Sequence, residues 1–386
     1  MKTLPPIHAA SNLQQVEQGG DRMFKAIKLG LGLVTAMLLA GWDGTPRQST
    51  VYTVSNDAEG NAVAVFIQEE DGTLSAGPRV ATGGRGTGSG LGNQGALALS
   101  EDERFLFVIN AGSNDLSSFR VLRSGPKLLG RVPSGGTTPV SLTVHGELLY
   151  VLNAGDGGNI SGFRVGSDGG LTPLPDSIRP LSGAAVTAPA QVSFSPDGSL
   201  LVVTEKATNL IDTYTVDVNG RAHGPIVQSS EGPTPFGFAF DKRGRLFVSE
   251  AAAGVPNGSA LSSYHVDGAG RLSLQDQQPS RQTAACWVVV TRNGRYAYTS
   301  NTGSASITGY RIFKSGNLSL LDSDGVTASA PEGSVLIDMS LSDDSRYLYV
   351  LDSQGAVRAY RVGDGGGLSG LGSVPAPAGS TGLLFR

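Results

Sequence analysis

The stretch that decides the fold runs from Pro189 to Val216 and has the sequence PAQVSFSPDGSLLVVTEKATNLIDTYTV. It begins with a short apolar strand, turns at Ser195-Pro196-Asp197-Gly198, and returns as a second strand that ends at Glu205. Asp-Gly between two apolar runs is a strong signal of a tight hairpin. Because a third strand follows from Ile211, the stretch predicts an antiparallel sheet made of consecutive hairpins.

The same order of strands and turns recurs along the chain. The second strands end at polar residues roughly 45 to 50 positions apart, which is the period of a four-stranded propeller blade. These ends are Asn110, Asn153, Glu205, Glu250, Asn301 and Asp352. The chain has 55 Gly and 20 Pro among its 386 residues, as expected for many short strands joined by turns. We therefore predict an all-β propeller.

The number of blades follows from an incomplete first copy of the repeat. Residues 51–56 have the pattern of a second strand, and no first strand precedes them. At the other end of the chain, residues 382–385 align with 237–240, which belong to a first strand. We predict that the C-terminal strand completes the first blade and closes a ring of seven over residues 51–386. An open ring would expose unpaired edge strands at the gap.

Charge and residue usage narrow the possible functions. The net charge is −4 and the basic residues are scattered, which argues against nucleic acid as a partner. With four His in the chain, none near the expected channel, neither a Ser-His-Asp triad nor a His-rich metal site is favoured. The single cysteine, Cys286, excludes an intrachain disulfide and is expected to be a buried apolar residue.

Residues 1–50 form a separate leader. Lys25 and Lys28 precede the apolar run 29–40, which is the layout of a secretory signal and short for a membrane span. We therefore expect a periplasmic or secreted protein, translated from Met23. Trp42 stands where a lipidated Cys would be required, so no stable membrane anchor is expected after cleavage. An uncleaved signal anchor is the alternative.

The propeller pattern predicts where a site lies. Tight hairpins should occupy one face, and longer irregular segments the other, such as the Gly-rich residues 83–95, expected to be a mobile loop. Function concentrates on irregular loops held by a rigid scaffold, so we place the site at the channel mouth on that face. The second-strand ends should converge there, although Asn and Asp at such ends also cap loops structurally.

A second ring of candidates lies at the start of the first strands. Counting three residues back from the residues expected to pack between blades gives Gln191, Trp287 and Asp338. Lys206, directly after a second strand, is a further candidate. The predicted substrate-binding residues are therefore Gln191, Lys206, Trp287, Asn301, Asp338, Asn153 and Asp352.

The repeat resembles a known family. Ser195-Pro196-Asp197-Gly198, the strand core 201–203, and the closing turn 168–171 resemble the seven-bladed lactonase-family propellers, which include 6-phosphogluconolactonases and 3-carboxy-cis,cis-muconate lactonizing enzymes. The resemblance covers 51–386. In that family a His, often preceded by Arg, starts certain first strands, and a Glu ends a neighbouring second strand. Here Glu250 keeps the Glu position, whereas Phe236 and Gly237 stand at the aligned Arg and His positions.

The resemblance implies an enzyme that opens or forms a lactone, with a small lactone or sugar acid as substrate and no cofactor. Lactone opening needs a base to activate water and a group to stabilise the carbonyl oxygen. We predict Glu250 as the base and Glu205 as the neighbour that raises its pKa. Gln191, Lys206 and Asn301 are the predicted donors.

Two alternatives remain open. One is a calcium-dependent lactonase, because several second-strand ends carry the hard oxygen ligands that calcium prefers. These are Glu205, Glu250, Asn153, Asn301 and Asp352. The other is a non-catalytic propeller of the cell envelope that binds a peptide, a glycan or a protein partner, which the missing Arg and His favour.

Overall fold

The computed structural model describes residues 48–386. The signal-like segment and the proposed start at Met23 lie outside these residues. Seven antiparallel sheets of four or five strands follow one another, and the last strand of the chain joins the first sheet. The predicted seven-bladed β-propeller and its C-terminal closure are confirmed.

The strands of each blade follow one another from the channel outward. Blade 1 contains Thr381–Phe385, Thr50–Val54, Ala62–Gln68 and Leu74–Ala81. Blade 2 contains Leu97–Leu99, Phe105–Asn110, Asp115–Leu122 and Gly125–Pro133. Blade 3 contains Pro139–His145, Leu148–Asn153, Asn159–Val165 and the short outer strands Leu171–Pro173 and Arg179–Pro180. Blade 4 contains Pro189–Phe194, Leu200–Glu205, Leu210–Val216 and Ala222–Ser229.

The remaining blades have the same order. Blade 5 contains Pro235–Phe240, Leu246–Glu250, Ala260–Val266 and Leu272–Pro279. Blade 6 contains Ala285–Val290, Tyr296–Asn301, Ser306–Ile312 and the short outer strands Leu318–Leu320 and Ala328–Ser329. Blade 7 contains Leu336–Leu341, Tyr347–Asp352, Ala356–Val362 and Leu368–Pro375.

The C-terminal strand closes the ring through paired backbone and buried side chains. It runs antiparallel to Thr50–Val54, and Val51 lies opposite Phe385. Thr53 Oγ1 donates to the Gly382 carbonyl at 2.6 Å. The Phe385 ring stacks on Tyr349 of blade 7 at a centroid distance of 5.9 Å, so this strand also seals the junction between the last and first blades.

The hydrophobic core lies between blades. One cluster, for example, joins Tyr150 and Leu152 of blade 3 to Phe194 and Leu201 of blade 4, and these side chains are almost completely buried. First strands of neighbouring blades contact one another around the axis. Each blade therefore buries its faces only against its neighbours, which explains why a missing strand at the junction would expose core on both sides.

The two faces of the ring differ as the sequence predicts. On one face the hairpins are tight: Ser195 Oγ donates to Asp197 Oδ1 at 2.6 Å. Gly198 closes this turn with a φ of +72°, and a Cβ there would come within 2.1 Å of His145 Cδ2. The opposite, irregular face carries the links between blades and the short 3-10 turn Ala252–Gly254. Within residues 48–386 no helix is long and apolar enough to cross a membrane.

Candidate active site

Most second-strand ends turn their side chains into their own blade. Each of these residues points towards the third strand, where the recurrent partner lies two positions beyond its paired residue. Asn153 Nδ2 donates to Ser161 Oγ at 3.5 Å, and also to Oδ1 of its paired residue Asn159 at 3.0 Å and to the Ser134 carbonyl at 3.3 Å. Asn301 Nδ2 donates to Thr308 Oγ1 at 2.9 Å. These contacts hold the blade together and leave the amides far from a shared site.

Asp352 follows the same scheme with a charged partner. Its Oδ2 accepts a hydrogen bond from Arg358 Nη2 at 2.7 Å, and its Oδ1 accepts from the Val335 amide at 3.1 Å. The Arg358 guanidinium helps to keep the pKa of Asp352 below its usual value despite burial. Asn153, Asn301 and Asp352 therefore lie in three separate blades, and the structure does not bring them together.

Glu250 is enclosed by donors of blade 5. Its side chain is 1% exposed. Oε1 accepts from Ser262 Oγ at 2.7 Å and from the Gly232 amide at 2.9 Å, and Oε2 accepts from Gln277 Nε2 at 2.8 Å. Burial raises the pKa of Glu250, and these hydrogen bonds oppose the increase. Its role as the catalytic base stays a prediction, because a water at the mouth would have to reach past this cage.

Glu205 is also completely buried, in blade 4. Oε1 accepts from the Ser182 amide at 2.9 Å, and Oε2 accepts from Ser182 Oγ at 2.8 Å and Thr208 Oγ1 at 2.6 Å. Its neighbour is not Glu250 but Asp212, whose pKa is raised to about 8 by burial and by the Glu205 carboxyl. The proposed tuning of Glu250 by Glu205 therefore has no contact to support it in this structure.

No metal site emerges from these acids. In the part of the chain that the structure describes, no group of three or more His, Cys, Asp or Glu side chains is placed to hold an ion. The five predicted calcium ligands are distributed over blades 3 to 7, and each is bonded within its own blade or to its adjoining link.

The channel is crossed by a short piece of the Gly-rich loop. Residues 92–95, here termed the plug segment, bond to first strands on all sides of the axis. The Gln94 amide donates to the Ala190 carbonyl at 3.0 Å, and Thr381 Oγ1 donates to Asn93 Oδ1 at 2.8 Å. Asn93 Nδ2 also donates to the Val140 carbonyl. The segment thus contacts blades 1, 3 and 4, and this part of the loop is firmly held.

Gln94 occupies the space that a side chain at position 237 would need. Its Nε2 donates to the Val288 carbonyl at 2.9 Å and its Oε1 accepts from the Val288 amide at 3.2 Å. A Cβ on Gly237 would lie 2.0 Å from Gln94 Oε1 and 2.7 Å from the Cys286 carbonyl oxygen. A residue larger than glycine at position 237 would therefore collide with the plug segment, which fills the space that its side chain would need.

Below the plug segment the channel opens towards the hairpin face as a cavity of about 410 Å³. Gln191 and Asp338 line it, together with Phe194, Phe240 and other apolar side chains. Gln191 is bonded to the backbone of Phe238 through both ends of its amide, at 2.7 and 3.0 Å. Asp338 is 2% exposed, and burial raises its pKa to about 7. These two residues therefore face away from the predicted mouth.

Lys206 lies on the irregular side of the plug segment. Its Nζ donates to the carbonyls of Gly92 and, at 3.4 Å, Pro189, and sits 4.6 Å from the centroid of the Phe236 ring. The side chain is half-buried, and no carboxylate of residues 48–386 contributes to its electrostatic surroundings. Burial lowers the pKa of Lys206 to about 8. An ammonium held by neutral groups alone is ready to receive an anion.

Trp287 completes the wall beside Lys206. Its ring lies 5.0 Å from Phe236 between centroids, and its Nε1 donates to the Asn93 carbonyl at 2.5 Å. The neighbouring Cys286 is 6% exposed, and burial raises the pKa of its thiol to about 11, which makes it a poor nucleophile. Of the predicted site residues, the structure brings together Lys206 and Trp287, with Phe236 and the plug segment as additional members.

Sequence comparison places this propeller in a family. A family profile described as "Lactonase, 7-bladed beta-propeller" matches residues 45–187 and 246–382, more than half of the chain. The chain belongs to this lactonase family. The match passes over residues 188–245, which carry Lys206, Phe236 and the pair Glu205 and Asp212. Family membership supports lactone hydrolysis in general, and the residues of this stretch must be judged from their own geometry.

Solved structures of similar fold agree with this assignment. The lactonase-family chain is 18% identical to a periplasmic gluconolactonase, PpgL, of Pseudomonas aeruginosa, with a TM-score of 0.69 over 88% of this chain and 98% of that one. A Bacteroides fragilis protein assigned as a 6-phosphogluconolactonase gives 18% identity and a TM-score of 0.68, over 90% and 99%. A Lactobacillus plantarum protein gives 17% and 0.70, over 88% and 100%. At such identities they show the fold alone. No curated protein matches the chain significantly.

Proposed function

We propose that the protein hydrolyses a lactone at the mouth of the channel on the irregular face, with Lys206 as the group that stabilises the carbonyl oxygen. The observation that carries the proposal is the Lys206 ammonium, which is half-buried beside Phe236 and hydrogen-bonded only to neutral carbonyls. Membership in the lactonase family indicates the class of reaction. The Lys206 ammonium can stabilise the negative charge that develops on the carbonyl oxygen during that reaction.

The chemistry of ring opening fits a cation in this position. Attack of water on the ester carbon moves negative charge to the carbonyl oxygen, and the reaction ends with a carboxylate. An ammonium has three N–H donors, and the carbonyls of Gly92 and Pro189 accept two of them in this structure. The third is available for a ligand oxygen. In a poorly hydrated site such a fixed donor stabilises the developing charge more strongly than water does.

The walls of the site suggest the shape of the substrate. The rings of Phe236 and Trp287 meet at an interplanar angle of 56° next to the ammonium, and they are 7% and 4% exposed. A sugar lactone or another small lactone would contact the exposed edge of this apolar pair while its carbonyl points to Lys206. The reverse, lactonizing reaction uses the same contacts, since both directions share one transition state.

The assignment of Glu250 as the base that activates water remains a prediction. It requires movement of the link near Gly232, whose amide now donates to the Glu250 carboxylate at 2.9 Å. We also propose that the protein acts in the periplasm or outside the cell, because its leader has the composition of a secretory signal. Cell fractionation and N-terminal sequencing of the exported protein test this point.

The reaction is tested with a panel of sugar lactones, muconolactones and acyl lactones, following acid release at constant pH. Wild type is expected to hydrolyse at least one of them, and Lys206→Met is expected to lose most of that activity. Arg292→Met, which removes an exposed cation on the hairpin face, is the matched control and is expected to retain it. If neither wild type nor variant opens any lactone, the propeller is a binding module for a peptide, a glycan or a protein.

A further inference from the structure

The blades share a side-chain pair that blade 4 alone builds from two acids. In five of the other blades, the second-strand end meets a third-strand residue two positions beyond its pairing partner. In blades 2 and 6 an Asn donates to a hydroxyl, as in Asn110 Nδ2 to Ser117 Oγ at 2.8 Å. In blade 5 Ser262 Oγ donates to Glu250 at 2.7 Å. The equivalent positions in blades 2, 3, 5 and 6 are Ser117, Ser161, Ser262 and Thr308.

Blades 4 and 7 replace the hydroxyl by an ionisable residue, which is an acid in blade 4 and a base in blade 7. Blade 7 has Arg358, which forms an ion pair with Asp352 at 2.7 Å. Blade 4 has Asp212, which stands beside Glu205. Both acids are 0% exposed, and neither oxygen of Asp212 makes a regular hydrogen bond. Two adjacent buried carboxylates repel each other strongly when both are ionised, so the pair requires a balancing positive charge.

The surroundings of the pair supply no such charge. The link between blades presents Ser182, the turn after the second strand presents Thr208, and the third strand presents Tyr214, whose pKa is raised by burial and by both acids. Among residues 48–386 no Lys, Arg or His contributes to the electrostatic surroundings of Asp212. The regular hydrogen bonds around the pair, from Ser182 and Thr208, all go to Glu205, which leaves Asp212 as the buried acid without a regular donor.

We propose that Asp212 carries a proton that it shares with Glu205, and that this carboxyl–carboxylate pair is the positioning element of Lys206. Glu205 fastens two loops at once, through Ser182 on one side and Thr208 on the other. Between them the Lys206 amide donates to the Ala188 carbonyl at 3.3 Å, and the Ala207 amide donates to that of Thr187 at 3.1 Å. Loss of the shared proton would drive the carboxylates apart and loosen both loops. The link to catalysis rests on the function proposed above.

The proton on Asp212 predicts the direction in which the stability of the folded protein changes with pH. The pKa of Asp212 is about 8 in the folded protein against 3.8 ordinarily, so its contribution to stability is complete below about pH 4 and is lost progressively up to pH 8. Asp212→Asn cannot titrate. The variant is therefore expected to become more stable relative to wild type as the pH rises. The difference between the two melting temperatures should grow by several degrees from pH 5 to pH 8 and stay constant above pH 8. Asp212→Ser, which recreates the pair of blade 5, is expected to give the same slope.

Melting is measured without substrate, so this experiment separates the pair from the enzyme. A difference between variant and wild type that is constant with pH would overturn the shared proton, even if lactone hydrolysis is confirmed. A melting temperature that calcium chloride raises in wild type and not in Asp212→Asn would overturn it as well, because a metal ion would then balance the acids.

Positioning of Lys206 is tested by amide hydrogen exchange at pH 8.5. Peptides spanning 181–188 and 206–209 are expected to exchange several-fold faster in wild type than in Asp212→Asn, whereas a peptide from blade 1 exchanges equally in both. Equal exchange of the two loops in both proteins would overturn the positioning role. If exchange differs as expected and no lactone is hydrolysed, the positioning role of the Glu205 and Asp212 pair is supported and the proposed function is contradicted.

Discussion

Replacing Lys206 by Met is expected to lower kcat/KM for lactone hydrolysis by about 10²- to 10³-fold, the cost of removing one oxyanion donor, or roughly 3 to 4 kcal/mol in the activation free energy. The structure indicates that this loss is not caused by unfolding. Burial lowers the pKa of Lys206 from 10.5 to about 8, which corresponds to roughly 3 kcal/mol of destabilisation of the ammonium. Met removes that cost, keeps the apolar stem, and leaves two carbonyls without a donor at about 1 to 3 kcal/mol each.

These opposing effects should leave the melting temperature of Lys206→Met within a few degrees of wild type while activity falls sharply. The pH profile tests the role directly. Because the ammonium is the active form, its contribution to kcat/KM should decline as pH rises through about 8. Lys206→Arg retains charge at all these values, so in an Asp212→Asn background, where the acid pair cannot titrate, it should lose this decline. An increase of the rate through pH 8 would refute the reasoning, since it would identify the neutral amine as a general base.

Three further changes test other parts of the molecule. Removal of residues 380–386 is expected to abolish cooperative thermal unfolding, because the closing strand covers two blades; a truncated protein that melts like wild type would contradict ring closure. Glu250→Gln, if Glu250 is the base, lowers kcat/KM by about 10²- to 10⁴-fold with little change in melting, since Gln277 can turn its amide to accept; an unchanged rate removes Glu250 from the site. Gln94→Ala leaves two backbone groups unpaired and should lower the free energy of unfolding by roughly 2 to 4 kcal/mol in denaturant titrations, as should Gln191→Ala; however, only the first is expected to impair lactone hydrolysis.

The fold was predictable because short-range sequence patterns define each copy of the repeat. Asp-Gly turns and alternating apolar strands recur with one period, and each copy of this pattern forms one blade. Even the closure through residues 382–385 follows from alignment of the chain with itself. The strand bounds in blades 3 and 6, where two short outer strands replace one, were not predicted, since a break in an exposed edge strand has no strong pattern in the sequence.

The site was predicted only in part, because the sequence locates a residue along its strand but does not give the direction of its side chain. The sequence places Glu205, Glu250 and Asn301 at strand ends, but it does not say whether their side chains point to the channel or into the blade. A simple signal existed: the hydroxyl or charged residue two positions beyond each pairing partner marks the inward direction. Asp212 could have been found by comparing these third-strand positions, because it is the one acid among them.

The plug segment was missed because its partners are distant in sequence. The bond between Gln94 and Val288 spans 194 residues, and no local pattern predicts it. In the sequence, the Gly-rich residues 83–95 suggest only a mobile loop. Only the ring brings blades 1, 3, 4, 6 and 7 within reach of four residues, and there the absence of a side chain at Gly237 becomes necessary.

The departures from the repeat coincide in space, and this coincidence argues for function. A propeller needs neither an acid pair in blade 4 nor a glutamine on its axis, because the remaining blades do without them. Yet the Glu205 and Asp212 pair fixes the loops of Lys206, Lys206 bonds to the plug segment, and the plug segment fills the space at Gly237. Sequences depart from local consistency where function requires it. Both exceptions meet at the Lys206 ammonium, where we propose that a lactone binds.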